Sequence, residues 1–82
     1  MEKKVGEVTH YYTDISVALV KLEGRVEVGD KVKFKGHTTD FEQQIDSMEI
    51  EHEKVKVGKK GQKVGIKVKE RVRDGDYMYT IN

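Results

Sequence analysis

Seven basic side chains crowd the second half of the chain. Lys59, Lys60 and Lys63 sit in the stretch VGKKGQK, and Lys67, Lys69, Arg71 and Arg73 follow at every second position. Lys54 and Lys56 lead into them. Such groups do one kind of chemistry, the neutralisation of anions. In an extended backbone the last four share a side at a spacing of about 6 to 7 Å. Phosphates along a nucleic-acid strand repeat at a comparable distance, so the pattern permits RNA contact. Gly58 and Gly61 let the loop backbone approach a ligand closely. Lysine brings charge without geometric reading, so binding of this kind is weak and blind to sequence. No aromatic residue interleaves with the bases, and a base-stacking platform is therefore absent. The competing reading is a solvated exterior balanced by glutamates on neighbouring strands.

No other chemistry is spelled out. His10, His37 and His52 are too scattered for a metal motif. Ser16 and Ser47 have no evident base, and no nucleophile elbow, zincin helix or carboxylate pair is present. The chain holds no cysteine, which removes disulfides and thiolate metal sites. The expectation is a protein that is not an enzyme and carries no cofactor.

The residues must be positioned by a small domain. Eighty-two residues make one domain, read as 1–82. Only 35% of them are hydrophobic and 38% are charged, so the core is lean. The net charge of +1 neither demands nor excludes nucleic acid. No apolar run approaches the roughly 20 residues of a membrane span. MEKKVGEV has no apolar signal core, so a cytoplasmic location away from membranes is expected.

Period-two patterning dominates. In KVKFK, Val32 and Phe34 share a face, and in VGIKVK so do Val64, Ile66 and Val68. IDSMEIEHE turns Met48 and Ile50 inward, with a bend separating them from Ile45. DYMYTI closes the chain. Gly6 inside the first strand pattern marks a bulge or a close backbone approach. ISVALVKL is apolar on both faces. With Ala18, Val20 and Leu22 inward, Ile15, Val17 and Leu19 face out, covered by a loop or forming a protein contact patch. The best helical candidate, TTDFEQQI, is outweighed by the strands around it. The expected core is Val8, Val20, Leu22, Val28, Val32, Phe34, Met48, Ile50, Val64, Ile66, Val68 and Met78.

A phrase recurs in RVEVGDKVKF, KVKVGKKGQKVGIKV and RVRDGDYMY: valine, then glycine beside a polar residue, then alternation. Gly29, Gly58, Gly61 and Gly75 can take positive φ without steric cost. Asp30 and Asp76 can tie a short side chain back to the backbone. Each phrase reads as a corner that launches a strand.

RVEVGDKVKFKG, IDSMEIEHE and GQKVGIKVKERVRDGDYMY, in that order, resemble the second domain of translational GTPases such as elongation factor Tu. The resemblance covers roughly residues 5 to 80. It implies a closed six- or seven-stranded antiparallel β-barrel of the translation-protein type, in a free-standing version. The same module also looks like a C-terminal domain of collagenase-like peptidases. No G-x-x-x-x-G-K-[ST] occurs, so nucleotide binding is not implied. Glu49 stands where the family's glutamate lies near the terminal adenosine of aminoacyl-tRNA, although Glu51 and Glu53 make this edge acidic. The function implied is a binding module for tRNA, ribosomal RNA or a translation partner. Its contacts would be Lys59, Lys60, Lys63, Lys67, Lys69, Arg71 and Arg73, with Glu49 as a neighbour. The alternative is a protein–protein adaptor or structural barrel that works through Ile15, Val17 and Leu19 and binds no RNA.

Overall fold

Glycine followed by a carboxylate or amide is one device built three times. The computed structural model describes residues 2–81. At 27–30, 59–62 and 73–76 the fourth residue's N–H donates to the first residue's carbonyl, at 3.1, 3.1 and 3.0 Å. The third residue is a glycine with φ of 100°, 90° and 92°, as a type II turn requires. The fourth side chain then reaches back. The Glu27 N–H donates to Asp30 Oδ2 at 3.0 Å, Lys59 N–H to Gln62 Oε1 at 2.8 Å, and Arg73 N–H to Asp76 Oδ2 at 2.8 Å.

Each corner also grips one buried residue. Gly29 N–H donates to the Ile45 carbonyl, and Ile45 N–H donates to the Asp30 carbonyl, both at 2.9 Å. Leu22 exchanges the same pair of bonds with Gly61 and Gln62, and Val8 with Gly75 and Asp76. Two residues opposing one, the first a left-handed glycine, form a G1 bulge. A Cβ at Gly29, Gly61 or Gly75 would meet nothing, so conformation alone demands glycine there. Gly58 differs from its expected role. Its φ is not positive, and a Cβ would fall 2.5 Å from Leu22 Cδ1, so space demands it.

Ten strands result: β1 (Glu2–Tyr12), β2 (Val17–Leu22), β3 (Val26–Glu27), β4 (Lys31–Lys35), β5 (Asp40–Gln44), β6 (Met48–Ile50), β7 (Glu53–Val55), β8 (Val57–Gly58), β9 (Lys63–Lys67) and β10 (Tyr77–Ile81). The corners launch β4, β9 and β10. All pairings are antiparallel. Eight strands join in the order β5-β4-β10-β1-β2-β9-β6-β7, while β3 and β8 form a separate pair. Long β1 shifts register between Lys4 and Gly6 and again between Val8 and His10. These bulges curl the sheet. No helix among the described residues is long and apolar enough to cross a membrane.

The closed barrel of six or seven strands is not what forms. Two open sheets hold eight and two strands, and β5 and β7 end the larger one. The ladder stops because β6 meets β9 only at Met48–Ile66 and Glu49–Gly65. Beyond that point a side chain replaces a strand. Gln43 of β5 donates from Nε2 to the Lys67 carbonyl and accepts the Lys69 N–H at Oε1, both at 2.8 Å.

Among the described residues sixteen apolar side chains are buried between the faces, including Val8, Leu22 and Ile45, the three residues held by the corners. The expected core needs correction: Val5, Ile45 and Val72 are also buried, and three further positions differ. Val28 is 38% exposed because it occupies the turn, and Val26 takes the buried place before it. Ile50 is only half-buried, at the end of β6. Phe41, considered as part of a helical turn, lies in β5 and stacks on Phe34 with ring centroids 5.3 Å apart.

Two predictions concern this frame. Asp76 is buried, and its carboxylate holds a backbone N–H. Asp76→Ala should lower the unfolding free energy by about 1.5–3 kcal/mol, against about 0.5–1.5 kcal/mol for exposed Gln62→Ala. Urea titration measures both, and equal losses would contradict the ranking. On the outer face of β4, Lys33 Nζ lies 3.5 Å from Glu2 and 3.8 Å from Asp40. The Glu2 charge, then that of Asp40, raises its pKa above the ordinary lysine value. A raised folded-state pKa gives stability that is whole below the unfolded value, about 10.4, and lost as pH rises through the folded one. Denaturation midpoints should therefore fall in this alkaline window for the native chain, and Lys33→Met should flatten that part of the profile.

Candidate functional site

Alternation on β2 places Ala18, Val20 and Leu22 in the core and turns Val17 and Leu19 outward, where they are half-buried. On β9, Val64 and Ile66 are buried, so Lys63, Gly65 and Lys67 form its outer row. On β6, Met48 is inward and Glu49 outward. The registers put these rows side by side. Leu19 lies opposite Gly65, and Gly65 opposite Glu49. Val17 lies opposite Lys67, and Lys21 opposite Lys63.

Gly65 leaves a notch in this outer face. A Cβ there would sit 3.2 Å from Val17 Cγ1 and 3.8 Å from the Glu49 carbonyl. The notch opens into a mainly apolar groove of about 790 Å³, walled by Tyr12 and Ile15 on one side and by Ile50, Glu51 and His52 on the other. No loop covers it. Ile15 is 60% exposed and Tyr12 43%. The His10 ring braces Tyr12 edge-on, with centroids 4.4 Å apart.

Backbone strain gathers at the same place. The non-glycine residues with positive φ among those described are Ser16 (55°), Glu51 (50°) and His52 (67°). Ser16 belongs to the turn between β1 and β2, directly between Ile15 and Val17. Glu51 and His52 form the whole loop between Ile50 and Glu53, which face each other across the hairpin. Two consecutive positive φ values in a two-residue loop make a type I′ turn, normally built from asparagine and glycine. Glutamate and histidine there cost about 1–3 kcal/mol each.

The structure divides the residues singled out in the sequence. Ile15, Val17 and Leu19 come together, and Glu49 joins them in a groove that Lys63 also lines. Lys59 and Lys60 lie in the second corner, Lys63 and Lys67 bound β9, and all four are exposed. The expected continuous run from Lys67 to Arg73 is broken. β9 ends at Lys67, the chain bends at Lys69 and Glu70, and Arg73 enters the third corner. None of the seven bases forms an ion pair among the described residues. Tyr12, Ile50, His52 and Gly65 were not anticipated as site residues. The available signal was Gly65, a missing side chain at an outward position between two lysines.

No protein-family model matches the chain. Over 79 residues, 95% of its length, it is 37% identical to an uncharacterized protease of Methanocaldococcus jannaschii. Over 77 residues, 92% of its length, it is 34% identical to a collagenase of Porphyromonas gingivalis. It spans only about a fifth of these relatives, 19% and 21% respectively. The C-terminal domain of a Geobacillus thermoleovorans protein assigned to the U32 peptidases matches in fold with a TM-score of 0.90 and 26% identity, covering 95% of this chain and 91% of that one. A selenomethionine variant of the same domain gives a TM-score of 0.88 at 25% identity, covering 93% and 96%. These matches overturn the resemblance to the translation-factor barrel, and the tRNA or ribosomal RNA partner inferred through it falls with it. The physical reason lies in the corners. Val-Gly-Asp before a strand specifies a type II turn with a G1 bulge, and any β domain can use that turn. The chain is an open two-sheet all-β domain, similar in sequence to peptidases and in fold to the C-terminal domain of a U32 peptidase.

Proposed function

We propose that the chain is a non-catalytic polypeptide-binding domain of the kind that accompanies U32-type peptidases, with the groove over Gly65 as its contact surface. The observation that carries this reading is the uncovered apolar groove on an otherwise charged exterior, formed by Tyr12, Ile15, Val17, Leu19 and Ile50. A small monomeric domain rarely leaves such a surface open without a partner. The peptidase and collagenase names of the relatives support polypeptide as the partner class. A cytoplasmic setting belongs to the same reading.

Biolayer interferometry on the immobilised chain tests the proposal. The analytes are the remaining four-fifths of the M. jannaschii protease and gelatin as an unfolded polypeptide. Binding to at least one is expected. Leu19→Lys should weaken it about tenfold, by placing a charge in the apolar contact. Lys59→Glu with Lys60→Glu should leave it unchanged, and the chain alone should release no fragments from gelatin. Binding that survives Leu19→Lys, or that depends on the lysine corner, would overturn the assignment, as would no binding to either analyte.

A further inference from the structure

Resting on that reading, we infer that the groove holds an extended polypeptide segment, with one aliphatic side chain seated over Gly65 and a lysine or arginine beside it facing Glu49 and Glu51. The notch is narrow, since a Cβ on Gly65 would already stand 3.2 Å from Val17 Cγ1. Leu19 and Glu49 flank Gly65 on the adjoining strands, and neighbouring strands stand about 4.8 Å apart. A branched aliphatic group fills such a gap, whereas a folded surface would have to present a matching knob. The wall toward the β6–β7 hairpin is acidic. Glu49 and Glu51 both line the groove, Lys54 opposite Glu49 on β7 does not, and neither glutamate forms an ion pair among the described residues. At the other end Lys63 stands opposite Lys21, so like charge there repels a cation. The segment's basic residue is therefore directed to the hairpin side. Strain points to the same wall, because Glu51 and His52 hold left-handed backbone where asparagine and glycine would do so more readily. A hairpin that needed only to turn would not require these side chains. At the groove mouth they supply a charge and a ring.

Fluorescence anisotropy with labelled heptapeptides on the intact chain tests the inference. The probes are Gly-Gly-Leu-Gly-Lys-Gly-Gly, the same peptide with glutamate for lysine, and the same peptide with serine for leucine. The leucine–lysine peptide should bind best, about tenfold tighter than either alternative. Gly65→Leu fills the notch and should abolish binding. Glu49→Lys with Glu51→Lys should invert the preference toward the glutamate peptide. As a variant that does not threaten folding, Glu51→Asn with His52→Gly should raise the melting temperature while weakening the leucine–lysine peptide. The inference is overturned if the three peptides bind equally, or if none binds while the protease body still does. In the second case the groove takes a folded surface, and the docking role stands without this occupant. Loss of every polypeptide ligand would remove both.

Discussion

The side-chain oxygen that closes each type II corner is the interaction on which the rest of the fold depends. Asp30, Gln62 and Asp76 each accept the N–H of the residue three positions earlier. That bond fixes the turn, the turn sets glycine in the left-handed region, and the glycine and its successor then clasp Ile45, Leu22 or Val8. One local contact so specifies a long-range one. Loop-closure entropy must be offset before distant strands reward the chain, and a lean core offers little for this purpose. A preset corner that already presents one donor and one acceptor to a buried partner lowers that cost. The three corners also launch β4, β9 and β10, which lie next to four further strands of the larger sheet.

The alternation in KVKFK and VGIKVK suffices to give strand, face and burial, because a half-buried strand with lysines outside has few alternatives. The corners were legible for the same reason, since glycine beside aspartate has a limited set of turns open to it. Closure of the sheet was not legible. Whether β5 pairs with β9 depends on where β6 lies, and that rests on a two-residue contact between Met48–Glu49 and Gly65–Ile66. No local pattern encodes it. Gln43, which bridges the opening, looks in the sequence like any polar strand residue. Val28 misled because the valine of Val-Gly-Asp continues the alternation begun by Val26, while the turn assigns that position to solvent.

The site was half legible. Ile15, Val17 and Leu19 stood out because their apolar character had no inward place to go. Glu49 also stood out, as a neighbour of the lysines, and the structure adds apolar neighbours to these. The sequence sets it near the lysines, and the register of β6 on β9 also sets it across Gly65 from Leu19. The basic residues were over-read for a related reason. Their spacing suggested one extended row, but a row needs one strand, and β9 ends at Lys67 with a bend after it.

Charge and strain together explain why the groove stays open on a chain this small. An exposed apolar face on a sheet invites a second copy to cover it. Here the face is narrow, interrupted by Gly65, and bordered by Lys63 and Lys67 along β9 and by Glu49 and Glu51 on the far side. A flat apolar surface would have to desolvate those charges to reach the floor, and unpaired buried charge costs more than this little apolar area returns. A slender ligand avoids that penalty because its backbone can lie above the charged border while one side chain enters the gap. The type I′ loop keeps the acidic border raised, since its left-handed residues hold the hairpin tip in a fixed turn. On the proposed reading, the features that would admit a thin polypeptide would also discourage broad self-association, with the shape of the opening and its charged border acting together.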